Sequence, residues 1–142
     1  MKRATPYLNF PGTAEEAFAF YRGVFGGEPS MVRYRDMGMD SSDEGHLVAH
    51  VSLPIADDTV LMGSDVSGAQ AKDLRVGNNV QIHLAATDAA EARRVFEALA
   101  AGGTIEMPLD RTEWAELFGG CVDRYGVHWM VDYTGGVRFG AA

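Results

Sequence analysis

Histidine and cysteine, the side chains most used for metal and nucleophilic chemistry, are scarce here: 142 residues hold four His and one Cys. A lone Cys121 has no internal disulfide partner, which fits a reducing cytoplasm, and burial as a small hydrophobe is its expected role. No apolar run reaches 18 residues, so no membrane-spanning helix is expected. The amino-terminal MKRATPYLNF lacks the apolar stretch of a secretory signal. Basic residues are few as well: 12 Lys and Arg stand against 20 Asp and Glu. The net charge of −8 argues against a nucleic-acid or anionic-membrane partner. No Gly-rich loop follows a strand, no parallel βαβ series is present to hold a dinucleotide-like cofactor, and no nucleophile elbow appears. What remains is an ordinary globular composition, 46% hydrophobic and 23% charged. A chain of this length buries about 68–70% of its unfolded surface as one compact fold or two small modules sharing a core.

The chain says the same thing twice. LNFPGTAEEAFAFYRGVFGG (residues 8–27) is echoed by HLAATDAAEARRVFEALAAGG (residues 83–103). Glu16-Ala17 matches Glu91-Ala92 at an offset of 75, and Gly26-Gly27 matches Gly102-Gly103 at an offset of 76. Such self-similarity marks a duplicated supersecondary unit.

Local patterns give each copy the same order. Residues 5–10 are a short β-rich run stopped by Pro11-Gly12, after which Thr13 and Glu16 form a capping box. Ala14, Ala17, Phe18, Tyr21 and Phe25 fall on one helical face, closed by Gly26. Residues 31–36 read as a strand and 37–45 as a loop; LVAHVSLP and DDTVLMGSD are strands joined by a turn at residues 54–58. After a Gly- and Ser-containing linker, with Asn78-Asn79 as the turn into the second copy, residues 80–86 are a strand. Asp88 and Glu91 repeat the capping box, and Ala92, Val95, Phe96 and Leu99 make the apolar stripe. Strands follow at 104–107, 117–122 and 127–133. The expected class is α+β: tandem βαβββ modules, the first over 1–68, a linker over 69–79, the second over 80–136 and a tail over 137–142, in one integrated domain. Neither module has enough core to stand alone.

The segments TPYLNF, EEAFAFYRGVFGGEP, VLMGSD, GNN, MPLDRTEW, FGG and DRYGVHWMVDY span nearly the whole chain and resemble the vicinal-oxygen-chelate superfamily. That superfamily includes glyoxalase I, extradiol dioxygenases and bleomycin-resistance proteins. Within it the chain is most similar to the PhnB-like branch, often labelled with a demethylubiquinone methyltransferase domain name. Two departures stand out: Leu117 replaces a basic residue before the Phe-Gly, and Ala115 replaces a Gly after Trp114. The resemblance implies a glyoxalase-like fold with each sheet bent into a cup, helices on the convex faces, and a homodimer. It also implies where metal-dependent members place ligands: on the first and last strand of each module, facing the cup. Counting back from the helix-one Phe-Tyr gives Pro6, and the offset of 75 gives Gln81; the closing strands give Met62 and Met130. Pro has no donor atom, Met suits soft copper, and a Gln carbonyl alone is weak, so the inherited divalent-metal site is read as absent and no cofactor is expected.

The histidines remain the natural chemical candidates. His46 and His50 in HLVAH alternate onto one strand side about 13 Å apart, too far for one metal. His50 is the position the resemblance favours for function, including general-base catalysis. His83 shares a face with Gln81, and His128 with Met130 and Asp132. Trp114 in DRTEWAELFGG is a pocket-wall, dimer-contact or lid residue, whereas Trp129 alternates into the core. Arg33 and Arg35 read as a solvated face, with pairing to an anionic substrate as the sharper reading. The expectation is a cytoplasmic homodimer that holds a small apolar or mildly anionic molecule in its cups. The lining candidates are His50, Met62, Gln81, His83, Trp114, His128 and Met130, with no divalent metal. The alternatives are a metal-dependent lyase, isomerase or dioxygenase using relocated histidines, and a structural dimer whose cups are filled by their own side chains.

Overall fold

The computed structural model describes residues 1–39 and 43–138. Residues 40–42 of the expected loop and 139–142 of the expected tail lie outside the described residues. The chain forms two compact units, Met1–Arg75 and Val76–Ala142. The first runs β1 (Tyr7–Phe10), α1 (Ala14–Phe25), β2 (Ser30–Arg33), β3 (Val48–Ala56) and β4 (Thr59–Asp65); the second runs β5 (Ile82–Ala85), α2 (Ala89–Ala100), β6 (Thr104–Asp110), β7 (Leu117–Val122) and β8 (His128–Tyr133). The duplicated β-α-β-β-β order expected from the repeat is therefore present. A short 3₁₀ helix, Gly68–Asp73, occupies the expected linker.

Each unit has one four-stranded sheet, ordered β1-β4-β3-β2 and β5-β8-β7-β6. Its outer first strand pairs parallel to the closing strand and the remaining pairs are antiparallel. One face of each sheet carries the helix. In the first unit Ala14, Ala17, Phe18, Tyr21 and Val24 of α1 are buried, as are Phe10, Val48, Val51, Leu53 and Leu61 of the sheet. Phe18 stands edge-on to Phe10 and Tyr21, at centroid distances of 6.2 and 5.5 Å. Gly63 allows this approach: a Cβ there would lie 2.9 Å from the Leu8 carbonyl and 3.0 Å from Phe18. In the second unit Ala92, Val95, Phe96 and Leu99 of α2 and Cys121, Trp129 and Val131 of the sheet are buried. Burying each large apolar side chain stabilises the fold by about 1.5–3 kcal/mol, so the helix-bearing faces hold the stability.

Several local expectations are corrected. Thr13 makes no side-chain cap bond; the first turn of α1 is capped from the sheet, where Asp65 Oδ1 accepts from the Gly12 and Ala14 amides at 3.1 and 2.9 Å. Asp65 Oδ2 accepts from Val48 N at 2.9 Å, so one carboxylate ties helix start, β3 and β4 together. At α2 the cap is the expected Asp88, accepting from Glu91 N at 2.7 Å, but Glu91 reaches back to Thr87 rather than to Asp88. β2 ends at Arg33 because Asp36 accepts the Arg33 amide and starts a 3₁₀ turn, Tyr34–Met37. Phe25 is only half-buried, and Val24 takes its place in the core.

Candidate functional site

Alternation along the strands leaves the second face of each sheet free of its helix, and most of the candidate residues lie there. In the first unit Tyr7 of β1 is the Cα partner of Met62 of β4, Met62 of Ser52, and Ser52 of Ser30, which makes one row across the sheet. Asn9 pairs with Ser64, and His50 with Val32. His50 is half-buried and its Nδ1 lies 3.1 Å from the Tyr7 hydroxyl, with the two rings stacked at 5.7 Å. Tyr7 and His50 thus form a polar pair beside Met62.

The second unit repeats the row with different chemistry. His83 of β5 pairs with Met130 of β8, Met130 with Gly120 of β7, and Gly120 with Met107 of β6. Asp132, two residues beyond Met130, brings Oδ2 within 3.3 Å of His83 Nε2; its side chain is 14% exposed, that of His83 51%. His128, 11% exposed, bonds through Nδ1 to Glu106 Oε1 at 3.2 Å. Phe118 pairs with Asp132 and meets Trp114 edge-on at 5.3 Å. Trp114 itself precedes β7 and is 44% exposed. Gln81 sits just before β5, outside the paired stretch.

The register corrects the count that placed Pro6 on the open face. Pro6 precedes β1 and only its carbonyl is used, accepting from Met62 N; the residue opposite Met62 is Tyr7. Its counterpart opposite Met130 is His83, at the offset of 76 carried by the two Gly-Gly pairs. A one-residue slip exchanges strand faces, and a helix-anchored count cannot see it. His46 lies in the turn before β3, not on the strand side of His50, and its carbonyl accepts from Arg33. Arg33 forks onto Glu15, at 3.1 and 2.6 Å; this bond holds the Glu15 carboxyl below its usual value and the Arg33 guanidinium above its own. Trp129 is buried and donates Nε1–H to Asp123 at 2.9 Å. Burial, and then the nearby Asp123 and Glu106, push the Cys121 thiol up to about 11, which leaves it a poor nucleophile.

Four residues therefore pair across the first and last strands on the open faces, the strands to which the resemblance points: Tyr7 and Met62 in the first unit, His83 and Met130 in the second. Neither pair, a phenol with a thioether or an imidazole with a thioether, fits a hard divalent ion, which needs carboxylate or several imidazole donors. Among the described residues no three His, Cys, Asp or Glu side chains are grouped to hold one ion. Sequence reasoning reached Tyr7 only as a one-residue slip from Pro6 and did not single out Phe118, Glu106 or Met107. Strict alternation from Met62 and Met130 leads to the first two through their pairing partners, while a bulge in β6 hides the others.

Comparison with known proteins agrees with this architecture. The chain is 28% identical over 140 residues to the Escherichia coli K12 protein YjdN, covering 90% of this chain and 92% of that one. The crystal structure of PA1353 from Pseudomonas aeruginosa matches with a TM-score of 0.81 and 34% identity, covering 94% and 98% of the two chains. The PhnB protein of Bacillus cereus matches with a TM-score of 0.74 and 27% identity, covering 93% and 99%. The sequence profile described as 3-demethylubiquinone-9 3-methyltransferase matches residues 2–132, and the chain belongs to that family, the PhnB-like branch of the vicinal-oxygen-chelate superfamily.

Proposed function

We propose that this protein binds a small molecule on the helix-free faces of its sheets, without the divalent metal of its superfamily, as a cytoplasmic homodimer. The observation that carries the reading is the composition of those faces. Across their first and last strands they present Tyr7, Met62, His83 and Met130. Around them stand hydrogen-bonding groups: part-buried His50 beside Tyr7, exposed His83 beside Asp132, and the largely covered His128 beside Glu106. Flexible thioethers give an adaptable apolar floor, and a few polar anchors fix orientation. The Trp114–Phe118 pair adds an aromatic wall. Methyl transfer finds no support in the topology: each sheet has a single parallel pair among the described residues, not the parallel series that cradles a nucleoside cofactor.

The test is direct. The fluorescent probe 8-anilinonaphthalene-1-sulfonate, apolar and singly anionic, is titrated into the full chain, and Trp114→Phe, His50→Ala and Met62→Ala are each expected to weaken its binding several-fold. Equal affinity in all three variants would refute the assignment of these faces. Elemental analysis of protein purified without chelators is the second arm: near-stoichiometric Zn, Ni, Mn or Fe would overturn the metal-free reading.

A further inference from the structure

We propose that the open face of the second sheet binds a soft monovalent metal ion, Cu(I) or its analogue Ag(I), through Met107, Met130 and His128. Gly120 of β7 has Met107 of β6 as its partner on one side and Met130 of β8 on the other. Strands lie about 4.8 Å apart, so two thioether side chains flank, at about that distance, a residue with no side chain at all. A Cβ built on Gly120 meets a single atom within 4 Å, the Trp129 carbonyl oxygen at 3.6 Å, so the space above the glycine is open. Methionine is unbranched, with three rotatable bonds, and both sulfurs can swing over that space.

The third donor is held ready. His128 lies two residues before Met130, on the same face, and bonds through Nδ1 to Glu106, the neighbour of Met107 on β6. That bond links β8 to β6 over β7, the strand that carries the glycine, and engages Nδ1, leaving Nε2 for coordination. A carboxylate fixing the tautomer of a ligating imidazole is a recurrent arrangement around protein-bound metals. Two thioethers and one imidazole select Cu(I) over Mg²⁺, Mn²⁺ or Zn²⁺, for which oxygen-rich or multi-imidazole sets are needed. Met107 is 49% exposed and Met130 half-buried, so the sulfurs are accessible, and the net charge of −8 favours a cation. The site is confined to the second sheet and shares Met130 and His128 with the open face proposed above for a small molecule, but its donors and its Ag(I) readout do not depend on that molecule.

The test is an anaerobic titration of the full chain, labelled with ¹³C-methyl methionine, with Ag(I) as a redox-inert probe. The methyl signals of Met107 and Met130 are expected to move together and saturate at one equivalent, while the other five of the seven methionines stay in place. Met107→Leu, Met130→Leu and His128→Gln preserve volume and are each expected to weaken Ag(I) binding at least tenfold, with the remaining methyl signals reporting an intact fold. A Cys121→Ser background removes the thiol as a competing soft ligand, and the unmodified chain gives the same methyl readout should that variant fail to fold. Zn²⁺ is expected to leave the two methyls unmoved. Shifts confined to other methionines, no Ag(I) binding, or a Met107→Leu/Met130→Leu double variant that binds like the parent would overturn the proposal.

Discussion

Asp65 offers the sharpest check on how the first unit is held together. The residue is 2% exposed, and its two carboxylate oxygens accept three backbone amides: Gly12 and Ala14 at the start of α1, and Val48 at the start of β3. Replacement by Ala leaves all three donors unpaired. A stranded buried donor costs about 1–3 kcal/mol; two of these are buried and the third is part-buried, so the sum lies between about 2 and 9 kcal/mol. A domain has only about 5–15 kcal/mol in total, so Asp65→Ala is expected to remove a large share of the stability of the first unit. Asp65→Asn keeps one acceptor and turns an amide NH₂ toward Val48 N, at a cost of roughly 2–3 kcal/mol. Thr13 is the control. Its sequence position marks it as the N-cap, and losing a working cap costs about 1 kcal/mol, yet its hydroxyl caps nothing here. Thr13→Ala is therefore expected to stay within about 0.5 kcal/mol of the parent. Urea denaturation followed by far-UV circular dichroism measures both. A Thr13→Ala loss above 1 kcal/mol with an Asp65→Asn loss below it would show that the helix is capped locally and that the cross-sheet carboxylate is incidental.

Three further outcomes follow from the second unit. Gly103→Ala would place a Cβ 2.0 Å from the Val122 carbonyl oxygen, a backbone atom that no rotamer change can move; a loss of about 3 kcal/mol in thermal or urea unfolding is expected. Trp129→Phe removes the buried Nε1–H bond to Asp123 and leaves a small cavity, for a loss of about 2–4 kcal/mol in the same assay. Cys121, its thiol pushed from 9.0 up to about 11, is expected to resist 5,5′-dithiobis(2-nitrobenzoic acid) at pH 8 in the native protein and to react at once in 6 M guanidinium. The same shift carries a sign. A raised folded value favours the neutral thiol, so its contribution to stability is present below pH 9 and is lost as the pH rises toward 11. Unfolding midpoints that rise over that interval more steeply in the parent than in Cys121→Ser would contradict it.

The parts of this fold legible in the sequence are those governed by short-range periodicity. The stripe Ala92, Val95, Phe96 and Leu99 is buried as its spacing requires, and Gly26 ends α1 with a φ of 80° open to glycine. Features set by partners distant in sequence were not legible. Asp65 takes over the cap of α1 from 51 residues away. Glu106 reaches His128 across a bulge that breaks the period-two rule on β6. Asp36 stops β2 three residues earlier than the β-rich run suggests. In each case a carboxylate satisfies backbone or imidazole donors that local pattern rules assign elsewhere.

The division of labour between the two faces of each sheet explains how one architecture serves different site chemistries. Val51, Leu53 and Leu61 are fully buried under α1, while their strand neighbours His50, Ser52 and Met62 face away and retain exposure. Substitution on the helix side opens a cavity or overfills a packed core, but on the open side it changes few buried contacts. The duplicated units have kept the first and altered the second. Opposite a methionine in the same place on the closing strand, one unit sets a phenol linked to an imidazole and the other an imidazole beside a carboxylate. Helix-side packing thus preserves the register that aligns the open-face row, and the row itself is free to exchange oxygen donors for sulfur and nitrogen. The strand register consequently sets which positions share the open face, and only the side chains found there determine what that face can bind.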